Sequence, residues 1–234
     1  MAKIRNLSLS DRRENLRDAQ PITVPVQFSL NEIERHFTES MNSVKSQYEV
    51  ADALIKSGKV DGGKTIWRSQ IVLAEGLMDF YIHEMSKYCL FRMFTGQWEK
   101  SEKYANFLVP IGKIEEAIET NESKDWFFSY LNERFSRDVF ISLESMRDQL
   151  NLIGIEFNSV MNKAFPREKE NESVDYGKNV VRELFDRRNK IAHQNDRSHE
   201  SAKQNDISEE FVVDYIAKIE SIVTSIQEIA EQKG

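Results

Sequence analysis

The feature that most constrains the fold is a run of apolar residues spaced three and four apart between residues 30 and 55. An α-helix has 3.6 residues per turn, so this spacing places the residues on one buried stripe of a helix of about seven turns. A capping box, Ser29 with Glu32, marks its start. A long, narrow seam of this kind is typical of an antiparallel bundle or a coiled coil. The stripe consists of Leu30, Ile33, Phe37, Met41, Val44, Tyr48, Ala51 and Ile55.

The rest of the chain also reads as helical. The apolar residues of a second helix, about 64–94, surround its axis, so it is expected to be the central helix. Only residues 22–28 could form an extended stretch, and Pro25 would confine it to a sheet edge. We therefore predict an all-α fold, an antiparallel bundle of four to five main helices with short accessory helices. A polar segment, 1–28, would precede a helical domain, 29–234.

The later elements follow from the same spacing and from helix end signals. Residues 194–206 are polar and are expected to contribute no core residue, and Asp206 with Glu209 forms a second capping box. The predicted helices are 110–120, 123–135, 142–163 interrupted at Gly154, one beginning near Ser173, and a final one after Asp206.

Composition narrows the classes of function. A net charge of −7 argues against a broad nucleic-acid-coating surface but allows a local basic pocket. The single cysteine, Cys89, provides no disulfide framework and no thiolate zinc site. The histidines His36, His83, His193 and His199 show no metal-ligand spacing, so no metal and no cofactor are expected. No apolar stretch approaches a membrane-spanning length, which favours a cytoplasmic protein without a membrane partner.

Residues 58–65, GKVDGGKT, match the phosphate-binding pattern G-x-x-x-x-G-K-[ST]. A P-loop requires a buried strand before it, so that its backbone N–H groups can surround phosphate. The residues before Gly58 have helical spacing instead. We therefore interpret Gly58 as a helix-ending glycine and Gly62-Gly63 as a tight turn between antiparallel helices. A nucleotidyl or phosphoryl transferase would require ATP binding that depends on Lys64.

The stretch RRNKIAH, residues 187–193, contains an arginine that a basic helix end does not explain. On a helical wheel, Arg188 falls in the middle of an apolar arc, where a guanidinium is costly without a partner or ligand. Asn189 and His193, four apart, share the adjacent flank. Arg187 and Lys190 fit ordinary solvated charges near the helix C-terminus. The arc itself is formed by Val180, Val181, Leu184, Phe185, Ile191 and Ala192.

These side chains suit metal-independent cleavage of RNA. Arginine is a fixed cation that matches phosphate oxygens, and histidine exchanges a proton near neutral pH. With them, the RNA's own 2′-OH could attack the adjacent phosphate. One histidine per chain is too few for both proton transfers, so a two-fold homodimer is expected to bring two copies together.

The stretch RNKIAH resembles the R-x4-6-H motif of HEPN (higher eukaryotes and prokaryotes nucleotide-binding) domains. Residues 66–88 look like the second helix of the RiboL-PSP-HEPN subgroup, and residues 145–155 look like the helix before its final pair. The similarity covers roughly residues 30–232. It implies an endoribonuclease with a site at a homodimer interface, acting in toxin–antitoxin or phage-defence systems under an antitoxin or another regulatory protein. By position, Arg188, Asn189 and His193 would be catalytic.

Secondary candidates surround this motif. Glu75 and Asp79 lie four apart on the second long helix, and Glu75 could hold Arg188 in place. Arg187, Lys190 and His199 could contact or support RNA. The alternative function is a non-catalytic HEPN-like module that binds a protein partner, a nucleotide or RNA, which the acidic charge keeps open.

Overall fold

A computed structural model describes residues 26–119, 124–198, 200 and 202–233. The predicted all-α fold is confirmed, because these residues form no β-strand and only one isolated bridge, Arg197 with Gln204. Of the predicted extended stretch, residues 26–28 have no regular structure, and 22–25 lie outside the described residues. The helices are α1 (Leu30–Lys45), α2 (Gln47–Lys56), α3 (Val60–Thr95), α4 (Ile111–Glu119), α5 (Asp125–Phe135), α6 (Leu143–Leu152), α7 (Phe157–Ala164), α8 (Glu170–Gln194) and α9 (Glu209–Glu231), with a 3₁₀ turn at Tyr104–Asn106.

The first apolar stripe belongs to two helices, so the prediction of one unbroken helix is wrong. α1 begins with the predicted capping box, in which the Ser29 backbone N–H donates to Glu32 Oε2 at 2.8 Å. The break falls at Ser46, whose hydroxyl donates to the carbonyl oxygen of Ser43 at 2.8 Å. Serine competes in this way with the regular backbone ladder, which is why it disfavours helix interiors. Ala51 nevertheless remains fully buried, so the stripe continues across the break.

The turn between α2 and α3 corrects the prediction for the three glycines. Gly58 ends α2 as expected, with φ +82° and Lys59 N–H donating to the carbonyl oxygen of Leu54 at 2.9 Å. Gly62 and Gly63 lie inside α3 rather than in a turn. A Cβ at Gly63 would come within 2.7 Å of the Ala51 carbonyl oxygen, so glycine here permits two helices to pack closely. The P-loop pattern thus spans the short turn at residues 58–59 and the start of α3, and a helix rather than a strand precedes it.

α3 is the central helix, as predicted. It contacts α1, α2, α5, α8 and α9 over a length of about 54 Å. Buried residues occupy most sides of the helix, and Met78, Met85 and Leu90 are completely inaccessible. This position gives side chains on α3 access to the ends of several other helices.

Two details near α8 and α9 differ from the prediction. Ser208, not Asp206, caps α9 by accepting the N–H of Phe211, whereas the Asp206 carboxylate accepts a bond from Lys64 at 2.6 Å. The loop after α8 does contribute to the interior, because Asp196 is fully buried. The predicted interruption at Gly154 is confirmed, with φ +76° between α6 and α7.

Candidate functional site

The last turn of α8 carries the motif and ends just beyond it. α8 stops at Gln194, and Asn195 adopts the left-handed conformation with φ +49°. The Asp196 N–H donates to the carbonyl oxygen of Lys190 at 2.9 Å and closes the helix end. The His193 side chain is exposed and forms no hydrogen bond to another described residue. Its imidazole is therefore accessible to a ligand.

Arg188 lies against α3, as its place in the apolar arc predicted. Its Nε is 3.9 Å from Glu75 Oε2, and one guanidinium nitrogen donates to Asn189 Oδ1 at 3.0 Å. The Glu75 side chain is completely buried, and that of Arg188 is 26% exposed. The Arg188 side chain therefore extends from the interior, beside Glu75, to the surface. Ala192, which the wheel placed in the same arc, is exposed instead because the arc reaches the surface at the helix end.

Glu75 is a buried carboxyl group without a hydrogen bond to either oxygen among the described residues. Burial raises its pKa to about 8, although Arg188 and the neighbouring Tyr215 hydroxyl act in the opposite direction. The Tyr215 hydroxyl donates to the carbonyl oxygen of Leu184 at 2.7 Å. With this pKa, Glu75 is mostly protonated at pH 7, so it leaves most of the Arg188 charge uncompensated.

Asp79 has a structural partner. Its Oδ1 accepts the backbone N–H of Phe140 at 2.7 Å and lies 3.9 Å from His83 Nε2. Burial raises the pKa of Asp79, while the Phe140 bond, His83 and Arg188 lower it. Asp79 therefore joins the segment before α6 to α3, one turn beyond Glu75.

The expectation that Arg187 is an ordinary solvated charge is wrong. Its side chain is 17% exposed and pairs with Asp196: one terminal nitrogen donates a hydrogen bond at 2.9 Å, and the other lies 2.7 Å from the second carboxylate oxygen. Arg68 of α3 donates to the same carboxylate at 2.9 Å. Lys190, by contrast, is exposed as expected, and His199 lies outside the described residues.

The sequence interpretation missed Arg68 and Asp196. Arg68 precedes Glu75 by seven residues, two helical turns, and so shares its buried face. The wheel argument that selected Arg188 would have selected Arg68 as well. Asp196 carried no such signal, because a polar residue in a polar loop is expected to be solvated.

An exposed apolar stripe on α3, formed by Leu73, Gly76 and Phe80, lies on a different side of the helix from Glu75. Leu73 and Phe80 are each 47% exposed, and a Cβ at Gly76 would meet no atom within 4 Å. Around the helix, Asp79 lies between Glu75 and this α3 stripe. This apolar surface can therefore approach another protein surface closely at the glycine.

Within the described ranges, no group of three or more His, Cys, Asp or Glu residues could hold a metal ion. Over the same ranges, no helix is both long and apolar enough to cross a bilayer.

A central helix with a buried acid, opposed by an Arg-Asn-x3-His motif at a helix end, defines an all-α domain of the HEPN class. The chain belongs to the RiboL-PSP-HEPN family, whose sequence profile matches residues 27–232. This membership supports a HEPN-type, RNA-related function in general. Neither a curated protein nor a solved structure matches the chain significantly.

Proposed function

We propose that this protein is a metal-independent endoribonuclease whose site is completed by a second copy of the chain. One observation carries the proposal: Arg188 lies beside the buried, mostly protonated Glu75, and the exposed His193 follows it by five residues, about one and a half turns, on the same helix. A fixed guanidinium next to a group that exchanges protons near pH 7 suits a phosphodiester substrate. Family membership is consistent with this chemistry.

The proposed reaction uses the RNA's own nucleophile. His193 of one copy removes the proton from the 2′-OH, and the 2′-oxygen forms a bond to the adjacent phosphorus. The bond from phosphorus to the 5′-oxygen breaks, and His193 of the second copy donates a proton to that oxygen. Arg188 stabilises the negative charge on the non-bridging oxygens, and Asn189 orients Arg188 through their bond. The products are a 2′,3′-cyclic phosphate and a 5′-hydroxyl, so no water or metal is consumed in this step.

The α3 stripe supports the requirement for two copies. A two-fold interface is self-complementary, and Leu73 and Phe80 provide apolar area on both sides of it. Gly76 provides space for the closest approach between the helices. The proposed pairing is one in which both arginines and both histidines lie near the two-fold axis.

The test is RNA cleavage by purified protein in excess EDTA. We expect cleavage that leaves cyclic phosphate ends and falls at least 10²-fold in Arg188→Ala and in His193→Ala. Arg35→Ala, an exposed arginine on α1, is the control and should cleave normally. Unchanged cleavage by His193→Ala, or complete dependence on a divalent cation, would refute the proposal.

The cellular role proposed for this activity is that of a toxin or phage-defence effector in the cytoplasm, restrained by an antitoxin or another regulatory protein. Its expression alone should then arrest growth, and His193→Ala should relieve the arrest. The net charge of −7 favours a second candidate, a non-catalytic module that binds a protein or nucleotide. In that case binding would survive His193→Ala and no RNA would be cleaved.

A further inference from the structure

The loop after α8 is folded back on itself rather than extended into solvent. Asn195 and Asp196 both have positive φ angles, +49° and +58°, which reverse the chain direction directly after the helix. The Asn205 N–H then donates to the carbonyl oxygen of Asp196 at 2.7 Å, and Ser198 N–H donates to that of Lys203 at 3.0 Å. The loop therefore returns to its starting point beside the helix end.

A single carboxylate connects this loop to two helices. Asp196 is fully buried and accepts three hydrogen bonds at 2.9 Å, one each from Arg68 of α3, Arg187 of α8 and Asn205 of the loop. A second terminal nitrogen of Arg187 lies 2.7 Å from its other carboxylate oxygen and completes an ion pair. We call this set the Asp196 clamp. Arg68 also donates to the carbonyl oxygen of Asn205, and Arg187 to that of Asp206. These bonds hold the returning segment of the loop. Such charge-assisted bonds to a buried ion are strong and directional.

The clamp lies three residues beyond His193. The imidazole itself has no hydrogen bond to another described residue, so no such bond holds it in place, and the backbone of the last helical turn determines the position and direction of its Cα–Cβ bond. That turn is held at one end by the Asp196 N–H bond to Lys190 and at its side by the ion pair of Arg187 with the Asp196 carboxylate. Loss of the carboxylate would remove the attachments to Arg187, to Arg68 and to the Asn205 side chain, and would leave the backbone bond to Lys190 as the closure of this helix end.

We propose that Asp196 is a positioning residue: its clamp fixes the last turn of α8 against α3 and so sets the direction of the His193 imidazole. The catalytic consequence rests on the proposed ribonuclease function, whereas the ordering of the helix end does not. Asp196 is not expected to touch RNA, because it is completely buried.

The kinetic test measures RNA cleavage by variants that lack the Asp196 carboxylate but keep the backbone turn after α8. Asparagine and glycine both tolerate the φ of +58°, so Asp196→Asn and Asp196→Gly remove the carboxylate without straining the backbone. We expect kcat for RNA cleavage to fall about 10²-fold with KM within threefold, the effect of a displaced catalytic group. Asp52→Asn, which removes an exposed carboxylate on α2, should leave both constants unchanged.

A structural readout separates this proposal from the proposed function. The imidazole NMR signals of His193, assigned with His193→Gln, should broaden or double in Asp196→Asn, and amide exchange at 190–196 should rise at least tenfold. A kcat equal to that of the wild type, or an unchanged imidazole signal, in a folded Asp196→Asn protein would overturn the proposed positioning role of Asp196. If that variant does not fold, the same assays are applied to Asn205→Ala, and the same outcomes support or overturn the proposal. This change removes the side-chain bond to the Asp196 carboxylate and keeps the bond from the residue 205 backbone N–H to the Asp196 carbonyl oxygen. A wild-type protein without RNase activity would contradict only the proposed function.

Discussion

Glu75→Gln should stabilise the protein at alkaline pH and leave it unchanged at acidic pH. In the folded state the pKa of Glu75 is raised to about 8, chiefly by burial, against an ordinary value of 4.5. Between these two values the unfolded chain releases a proton that the folded chain retains. Stability is therefore complete below about pH 4.5 and declines as the pH rises toward 8. Glutamine has nearly the same shape and cannot ionise, so the variant should escape the decline.

The size of the effect follows from the two pKa values. Each pH unit between them is worth about 1.4 kcal/mol, and the linkage relation gives a loss on the order of 3 kcal/mol from this one group between pH 5 and pH 8. Arg188 does not offset this loss, because its effect in the opposite direction is already included in the raised pKa of Glu75.

The assay is urea denaturation of the wild type and of Glu75→Gln at pH 5, 6, 7 and 8. The two curves should coincide at pH 5, and the variant should become more stable by on the order of 3 kcal/mol at pH 8. Glu115→Gln, which changes an exposed residue of α4, controls for the removal of one carboxylate. A difference independent of pH, or a variant that is less stable at pH 8, would refute the assignment of a protonated Glu75.

Four further predictions follow from individual contacts. Gly63→Ala should lower the free energy of unfolding by about 1–3 kcal/mol in urea denaturation, because its Cβ would press on the α2 backbone. Gly76→Glu should keep the fold, since a Cβ there meets no atom, but should yield monomers in analytical ultracentrifugation and abolish cleavage. Lys64→Ala should leave thermal stability nearly unchanged, because it loses an exposed pair with Asp206, and calorimetry should detect no ATP binding before or after the change. Arg188→Lys should reduce kcat at least tenfold at unchanged stability, because an ammonium lacks the planar fork of donors.

Some helix ends could be predicted from the sequence because residues close in the chain determine them. The bond between Ser29 and Glu32 and the left-handed glycines at 58 and 154 depend on residues close in the chain, so sequence rules identified them. The predicted capping residue of α9 is wrong because Asp206 and Ser208, two residues apart, are both residue types that cap helices. The choice depends on Lys64, which is distant in the chain and engages the Asp206 carboxylate.

The apolar spacing by itself determined the all-α class, the central helix and the exceptional position of Arg188, because helical periodicity is a property of neighbouring residues. It could not distinguish Arg187 from an ordinary surface charge, nor show that Asp196 is buried. Those facts depend on Arg68, more than 100 residues earlier in the chain, which α3 brings against the end of α8. Burial likewise raised the pKa of Glu75, and burial is a property of packed helices rather than of any segment. The sequence located the motif, and only the tertiary structure decided which of its charges are engaged and which remain available to a ligand.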